Sequence, residues 1–233
     1  MRQPRQQLAL NVRLRDDATL DNYLCADAAQ ALLKALQGQL EQQGEPIIYL
    51  YGPAETGKSH LLQAACHLGE GSPVVYLPLS ELVDYPPQDV LQGVESMALV
   101  CLDDVQAVLG NEAWEQALFH FYNRAREQNC RLLVSADVAP RELQLKLADL
   151  RSRLSWGIVY QLTALDDIDR KAILSFRAAR RGLPLPPEVA SYIVDRAPRA
   201  LSALIDLLDK LDRASLVEQR ALSIPFVKLA LGW

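Results

Sequence analysis

Short apolar segments alternate with amphipathic segments between residues 47 and 163. The apolar segments are rich in Val, Ile, Leu and Tyr, and they are bordered by Gly, Pro or polar residues. Segments of this length and composition are typical of strands that are buried on both faces of a sheet. The pattern predicts five strands, at residues 47–51, 73–79, 97–102, 131–137 and 158–162.

Helices are predicted around these strands, where apolar residues recur every three or four positions. The first predicted helix, residues 27–43, has Asp27 as its expected N-cap and Gly44 as its expected end. Three more are predicted after Gly57 and at residues 112–128 and 143–154. Because strands and helices alternate, we expect a five-stranded parallel sheet with right-handed connections and helices on both faces.

The pattern changes after Thr163. Helical periodicity continues without further strand patterns, and Gly and Pro residues separate the segments. The predicted helices are residues 166–181, 187–196, 199–214 and 224–231. We therefore predict an α/β domain at residues 13–163, followed by a small all-helical lid domain at residues 164–233.

Residues 1–12 are predicted to form a separate N-terminal tail. The first six residues are polar, whereas Leu8, Leu10 and Val12 stand at alternate positions. Such alternation fits an edge strand that packs on the following domain, and it also fits a segment that binds another chain. The residues alone leave both interpretations open.

Composition excludes several classes of protein. The chain has 233 residues, is 50% hydrophobic and carries a net charge of −5, which is typical of a soluble globular protein without a basic footprint for nucleic acid. Its four cysteines lie far apart, mostly in apolar runs, and are predicted to be reduced core thiols: Cys25, Cys66, Cys101 and Cys130. The polar first residues and short apolar runs predict a cytoplasmic protein with no signal peptide and no membrane partner.

A phosphate-binding loop is predicted between the first strand and the next helix. The pattern Gly52-x4-Gly57-Lys58-Ser59 stands between a strand and a helix, as such a loop requires. Backbone N–H groups and the helix dipole can bind phosphate oxygens, while Lys58 reaches the terminal phosphates and Ser59 offers its hydroxyl to Mg²⁺. The predicted nucleotide-binding residues are Gly52, Pro53, Ala54, Glu55, Thr56, Gly57, Lys58, Ser59 and His60. The alternative is a turn without a ligand, which the carboxylate of Glu55 favours.

Acidic and polar residues follow two later strands. Asp103 is predicted to hold the water shell of Mg²⁺, together with Ser59, and Asp104 stands where many ATPases carry a water-polarising Glu. The alternative for the acidic pair is an N-cap of the next helix. Ser135 and Asp137 lie at the carboxyl end of the fourth strand, where open α/β sheets bind ligands, although polar residues are common at strand ends.

The motifs together resemble a known family. A nucleotide-binding α/β domain followed by a helical lid resembles the plan of the AAA+ ATPases. Five motifs from about Thr19 onward resemble, in order, those of the bacterial DnaA family: Gly52-x4-Gly57-Lys58-Ser59-His60-Leu61, Leu102-Asp103-Asp104-Val105-Gln106, Ser135-Ala136-Asp137 before Pro140, Leu150-Arg151-Ser152-Arg153-Leu154-Ser155-Trp156-Gly157, and Arg199. The chain has an N-terminal Gln-Leu-x-Leu pattern and lacks the flanking domains of DnaA. In both respects it is similar to the short, Hda-like regulators of this family.

This resemblance implies a negative regulator of DNA replication initiation. Such a protein binds the DNA polymerase III beta sliding clamp, carries ADP (or ATP) with Mg²⁺, and stimulates hydrolysis of the ATP bound to DnaA. It contacts DNA only indirectly, through the clamp, and a homodimer or higher homo-oligomer is expected.

The resemblance also assigns roles to individual residues. Gln7, Leu8 and Leu10 would bind the clamp, and Asp137 and Arg199 would contact the nucleotide. Arg153 would act as a catalytic arginine finger for a neighbour's ATP. The alternative for Arg151 and Arg153 is that they only complement the dipole at the end of a helix.

Two acidic residues predict weak ATPase activity. Glu55 stands where DnaA-type loops usually have Gly, and Asp104 is one methylene shorter than Glu. Negative charge near the phosphates disfavours the γ-phosphate, and the shorter acid reaches an attacking water less well. We therefore expect tight binding of ADP and slow turnover of ATP.

Two other functions are compatible with parts of the sequence. An autonomous AAA+ ATPase that acts as a helicase loader of the DnaC-like type fits the phosphate loop and the Asp103-Asp104 pair. A direct origin-binding protein fits only the general family. The absence of a basic helix-turn-helix pattern argues against the second of these.

Overall fold

The structure, a computed structural model, describes residues 14–24, 29–41, 43–69 and 71–233. The clamp-binding residues predicted above, Gln7, Leu8 and Leu10, and the predicted N-cap Asp27 lie outside these ranges. The chain divides into two compact units between Leu162 and Thr163, one residue before the predicted boundary.

The first unit contains the five-stranded parallel sheet that the sequence predicts. Its strands are β1 (Ile47–Tyr51), β2 (Val74–Pro78), β3 (Leu99–Asp103), β4 (Arg131–Ala136) and β5 (Ile158–Gln161). Their order across the sheet is β2-β3-β4-β1-β5, and every neighbouring pair is parallel. The predicted fold class is therefore confirmed.

Six of the predicted strand boundaries were wrong by one or two residues, including the start of β2 at Val74 and the end of β3 at Asp103. β2 ends at Pro78 because Leu79 already begins a short helix, and β3 begins at Leu99 rather than at residue 97. β4 ends at Ala136 and β5 at Gln161, each one residue before its predicted end. The corrected limits put Asp103 inside β3 and Asp137 just beyond β4.

Helices of the first unit cover both faces of the sheet. They are α1 (Gln30–Gly38), α2 (Lys58–Leu68), α3 (Leu79–Leu82), α4 (Pro87–Leu91), α5 (Glu112–Glu127) and α6 (Ala148–Leu154). The predicted extent of the first helix was wrong, because α1 already ends at Gly38, and α6 begins five residues later than predicted.

Alternate strand residues face two different hydrophobic clusters. On β1, Tyr49 belongs to the cluster formed with α5, whereas Ile48 and Leu50 belong to the cluster formed with α1 and α2. This division explains why the strands are apolar at nearly every position. Three of the predicted core thiols, Cys66, Cys101 and Cys130, are buried and free, and Cys25 lies outside the described residues.

The second unit is entirely helical in its described secondary structure, as predicted for the lid. It consists of α7 (Asp167–Arg180), α8 (Pro187–Arg196), α9 (Leu201–Glu218) and α10 (Ile224–Leu231) around a core of its own. Asp166 caps α7 through a capping box with Asp169. The predicted start and end of the third lid helix were wrong: Arg199 precedes α9, which continues to Glu218. Among the described residues, no helix is long and apolar enough to cross a membrane.

Glu115 explains the late start of α6. This side chain is 1% exposed, and its carboxylate accepts hydrogen bonds from the backbone N–H groups of Gly110, Lys146 and Leu147 at 2.7–2.9 Å. The segment before α6 is thereby held in a non-helical conformation by a residue more than thirty positions away. Burying such a carboxylate is favourable only while its hydrogen bonds remain in place.

We predict that Glu115→Ala lowers the free energy of unfolding by about 3 kcal/mol, because it leaves buried N–H donors without their acceptor. Glu115→Gln should cost less, since one carbonyl oxygen remains. Glu127→Ala, on the exposed end of the same helix, should change stability by at most about 0.5 kcal/mol. Urea denaturation of the three variants measures these differences, and equal values for Glu115→Ala and Glu127→Ala would contradict this account.

Candidate nucleotide site

Parallel pairing brings the predicted site residues to one edge of the sheet. β3, β4 and β1 are neighbours, and the carboxyl ends of parallel strands lie on the same side. The loop after β1, Asp103 and Asp104 at the end of β3, and Ser135 near the end of β4 therefore meet. The backbone N–H of Asp104 donates to Ser135 Oγ at 2.9 Å, which joins two of these strand ends directly.

The loop between β1 and α2 is closed around its lysine. Nζ of Lys58 donates hydrogen bonds to the carbonyl oxygens of Gly52 at 2.7 Å and of Pro53 at 2.8 Å. Thr56 is buried and donates its hydroxyl proton to the same Pro53 carbonyl at 3.0 Å. The loop thus has a compact shape that is formed by its own side chains.

Two glycines are required by this shape. A Cβ on Gly52 would lie 2.2 Å from the carbonyl oxygen of Leu162, so no other residue fits there. Gly57 is the N-cap of α2 with φ +92°, a conformation that L residues rarely adopt. Lys58, Ser59 and His60 then form the first turn of α2, whose N–H groups have no partners within the helix. Such a helix start fits the phosphates of a nucleotide.

Glu55 occupies a strained position in the loop. Its φ of +64° is left-handed, and the side chain is exposed. Glycine adopts this conformation without cost, whereas other residues are strained there by about 1 kcal/mol. The backbone therefore gives a physical reason for the Gly that DnaA-type loops have at this position.

Lys58 is surrounded by negative charge. It is 7% exposed, and burial lowers the pKa of its ammonium group. Four neighbouring carboxylates oppose this shift and stabilise the charged form: Asp104, Asp103, Asp137 and Glu55. The predicted site residues at the strand ends and in the loop thus lie close enough to interact electrostatically with one lysine.

Asp103 is held by two hydroxyl groups. Tyr76 donates to its Oδ2 at 2.6 Å, and Ser135 donates to its Oδ1. The residue is 2% exposed, and Ser135 is fully buried. The structure thus engages Ser135 with Asp103 and with the backbone of Asp104, whereas Asp137 is exposed beyond the end of β4.

The donor set fits a magnesium ion that keeps most of its water shell. Each carboxylate oxygen of Asp103 has a second lone pair, so it can accept a hydrogen bond from a metal-bound water. No cluster of three or more His, Cys, Asp or Glu that could cage a metal occurs among the described residues. Mg²⁺ in nucleotide sites is held largely by phosphates and water, which matches this arrangement. Ser59, partly exposed in the first turn of α2, can supply the hydroxyl ligand.

The backbone conformation of Asp104 determines its position, and its side chain does not cap the turn that follows. It is the left-handed residue, with φ +55°, before a 3-10 turn at Val105–Val108, and its side chain caps no N–H of that turn. Its Oδ1 instead accepts a hydrogen bond from Gln106 Nε2 at 3.0 Å. The carboxylate therefore does not act as the N-cap that was the alternative interpretation.

Residues before α1 pack against the start of α2. Nε2 of His60 lies 2.8 Å from the carbonyl oxygen of Thr19, and the Tyr23 ring covers Gly57, where a Cβ would lie 3.1 Å from Cε2. The rings of Tyr23 and His60 are 5.9 Å apart. His60, a predicted nucleotide-binding residue, thus anchors the segment that precedes the loop helix.

Arg153 lies at the opposite edge of the sheet from the phosphate loop. It is in the last turn of α6, shortly before β5 begins at Ile158, which pairs beside Ile48 at the start of β1. The loop follows the other end of β1, at Tyr51. With about 3.3 Å per residue, roughly 10 Å of strand separates the two edges.

Aromatic rings hold the guanidinium of Arg153. It lies 4.2 Å from the centroid of Trp156 and 5.3 Å from that of Phe119, and its Nε donates to Asn123 Oδ1 at 3.0 Å. Arg126 also stacks on Trp156, with its guanidinium carbon 4.9 Å from the ring centroid. The side chain is therefore oriented by specific contacts in addition to its position at the end of a helix.

The remaining predicted nucleotide residue, Arg199, belongs to the second unit. It precedes α9, and its carbonyl oxygen accepts a hydrogen bond from Arg170 Nε at 3.1 Å. Sequence reasoning did not identify Tyr76, Phe119 or Asn123. Tyr76 stands inside an apolar strand and the other two on an amphipathic helix, so their patterns are those of ordinary core and surface residues.

Comparisons with known proteins agree with this arrangement. Residues 14–161 match the family described as the bacterial DnaA ATPase domain, and residues 167–231 match the family described as the Hda lid domain. The two matches lie in the two units of the structure.

Solved structures of DnaA are similar to this chain in fold. Domain III of the Thermotoga maritima replication initiation protein DnaA has a TM-score of 0.76 at 23% identity, over 95% of this chain and 98% of that one. AMPPCP-bound DnaA from Aquifex aeolicus has a TM-score of 0.70 at 25% identity, over 87% of this chain and 73% of that one.

A more distant similarity concerns the fold alone. The Thermotoga maritima RuvB Holliday junction branch migration motor has a TM-score of 0.64 at 17% identity, over 92% of this chain and 71% of that one. The DnaA ATPase-domain match covers well over half of the residues, and the lid match covers most of the rest. The chain belongs to the bacterial DnaA ATPase family, as an Hda-like, DnaA-homologous AAA+ protein.

Proposed function

We propose that this protein is a negative regulator of DNA replication initiation. It carries ADP, binds the sliding clamp of the DNA polymerase on DNA, and stimulates hydrolysis of the ATP that DnaA holds. The observation that carries the proposal is the separation of its two charged groups: Lys58 serves a nucleotide at one sheet edge, while Arg153 lies at the other. An arginine so placed can act on the nucleotide of a neighbouring protein.

Charges around Lys58 support ADP as the resident nucleotide. Three aspartates and Glu55 already interact with its ammonium group, so a γ-phosphate adds charge to an acidic environment. Mg²⁺, held through Asp103 and Ser59, supplies part of the compensating positive charge when it is bound. Adenine as the base follows from the similarity to DnaA, whose Aquifex aeolicus structure contains AMPPCP.

The position of Asp104 supports slow intrinsic hydrolysis. Its carboxylate is engaged by Gln106, and it is shorter than the Glu common in active ATPases. A general base must reach the attacking water within hydrogen-bonding distance. The protein therefore acts mainly on the nucleotide of its partner.

Contacts around Arg153 support a role as an arginine finger. Phe119, Trp156 and Asn123 fix the guanidinium before any partner arrives, so little conformational entropy is lost when it meets a phosphate. The planar group can then engage two phosphate oxygens and stabilise the charge of the transferring phosphoryl group. The clamp-binding role belongs to Gln7, Leu8 and Leu10, by resemblance to the hexapeptide of Hda-like proteins.

Glu55→Gln is expected to raise the affinity for ATP relative to ADP by about threefold, because it removes one exposed charge near the phosphates while keeping the side-chain size. Equilibrium titration with both nucleotides measures the ratio. Glu127→Gln is the matched control, since Glu127 ends α5 at the opposite sheet edge, before β4. An unchanged ATP to ADP ratio in Glu55→Gln would show that this carboxylate does not select the nucleotide.

Arg153→Ala should reduce the stimulation of DnaA-ATP hydrolysis by about 10³-fold, while ADP binding and clamp binding stay normal. Arg153→Lys should restore little, because an ammonium lacks the planar fork. Single-turnover hydrolysis with DnaA, clamp and DNA is the assay.

Arg126→Ala controls for lost packing on Trp156, since both arginines stack on that ring. Each substitution should cost about 0.5–1 kcal/mol of stability, and only Arg153→Ala should lose stimulation. Wild-type stimulation by Arg153→Ala would rule out the finger role.

The double substitution Leu8→Ala with Leu10→Ala should weaken clamp binding more than about a hundredfold, because two leucines entering an apolar cleft contribute roughly 1.5–3 kcal/mol each. Surface plasmon resonance on immobilised clamp measures the affinity. The control is Leu216→Ala with Val217→Ala, two exposed apolar residues of the lid that should leave it unchanged. If clamp affinity is retained and the melting temperature falls instead, residues 7–12 serve the fold.

A further inference from the structure

We infer that Tyr76 is a positioning residue for the metal-binding carboxylate, with Gln63 as the group that orients Tyr76. The inference rests on the proposed nucleotide site and deepens it. It assigns a role in Mg²⁺-dependent nucleotide binding to two residues that lie outside the phosphate loop and outside the Asp103-Asp104 pair.

Three side chains on neighbouring strands form a row across one face of the sheet. Tyr76 on β2, Asp103 on β3 and Ser135 on β4 all project toward α2, as do the apolar residues two positions before each of them, Val74, Cys101 and Leu133. In the register of β2 and β3, Tyr76 pairs with Cys101, so its hydroxyl reaches diagonally to the next residue on that face, Asp103. The carboxylate is thus held from both sides.

Tyr76 can only donate to this carboxylate. A phenol carries one O–H donor and an ionised carboxylate offers only acceptors, so Tyr76 is the donor in this pair. The 2.6 Å contact with Oδ2 is short, as expected for a hydroxyl that donates to an ionised acceptor. Ser135 engages the other oxygen, which leaves the carboxylate little freedom to rotate.

Gln63 is the residue of the loop helix that faces the phenol. It lies on α2, is 8% exposed, and is close enough to the Tyr76 hydroxyl to interact with it. Its amide oxygen accepts a hydrogen bond from the backbone N–H of Arg15 at 2.9 Å, which determines the orientation of the amide. The amide nitrogen is therefore the group that remains for the phenol oxygen, whose own proton is given to Asp103.

This support matters for an ion held mainly through water. A carboxylate that contacts Mg²⁺ through its water shell must point at those waters, and partners of such groups typically change metal affinity by about 10-fold to 100-fold when removed. Loss of the Tyr76 hydroxyl therefore acts on the contribution of Mg²⁺ and leaves the contacts between loop and phosphates in place.

The test is calorimetric titration of the full chain with ADP, in Mg²⁺ and in EDTA. For Tyr76→Phe we expect the ratio of the two affinities to fall by about 10-fold, with the affinity in EDTA unchanged within about twofold. Tyr160→Phe is the matched control, a partly buried tyrosine that packs against the same cluster from β5, and it should keep the wild-type ratio. Gln63→Met should lower the ratio in the same direction, and it provides an independent variant if Tyr76→Phe does not fold.

Other outcomes distinguish a failure of this inference from a failure of the proposed nucleotide site. Equal losses in Mg²⁺ and in EDTA, together with a lower melting temperature, would show that Tyr76 is merely structural and would overturn the inference. A wild-type ratio in both Tyr76→Phe and Gln63→Met would overturn it as well, while leaving the nucleotide site intact. If the wild-type chain bound no ADP under either condition, the proposed nucleotide site itself would fail, and this inference with it.

Discussion

Parallel pairing of β3, β4 and β1 is the constraint on which the site depends. Because these strands are neighbours and run in the same direction, residues that are far apart in sequence meet at one sheet edge. The lysine of the loop, the carboxylate of Asp103 and the hydroxyl of Ser135 meet there because of strand pairing, and not because of their spacing in the sequence. The parallel pairing of β1 with β5 puts the end of α6, with Arg153, at the other edge.

The electrostatics of the two edges differ in a way that fits two roles. At the carboxyl edge, one buried lysine is surrounded by four carboxylates, and Asp103 is fixed by two hydroxyl groups. This acidic environment is the basis for the proposal that the chain holds ADP and hydrolyses ATP slowly. At the amino edge, a guanidinium lies between aromatic rings with its planar face covered. The proposed finger role of Arg153 depends on this fixed orientation.

Sequence periodicity was sufficient for the fold because the central strands β1, β3 and β4 are buried on both faces and the helices are amphipathic. It failed where distant residues decide the local conformation. The start of α6 was wrong because Glu115 binds the N–H groups of Lys146 and Leu147, and no local pattern encodes that contact. In the site, the loop and the acidic pair carry recognisable motifs. Tyr76 and Gln63 could not be found, because a tyrosine in a strand and a glutamine in a helix have no distinctive spacing.

The central claim is that the nucleotide of this chain is held while the nucleotide of its neighbour is hydrolysed. The most direct measurement loads this protein and DnaA with ATP carrying different phosphorus isotopes in the γ-phosphate, and then mixes them with clamp on DNA in a single turnover. The account predicts that the released phosphate carries the isotope placed on DnaA. Release of the isotope placed on this chain alone, with DnaA-bound ATP left intact, would contradict it.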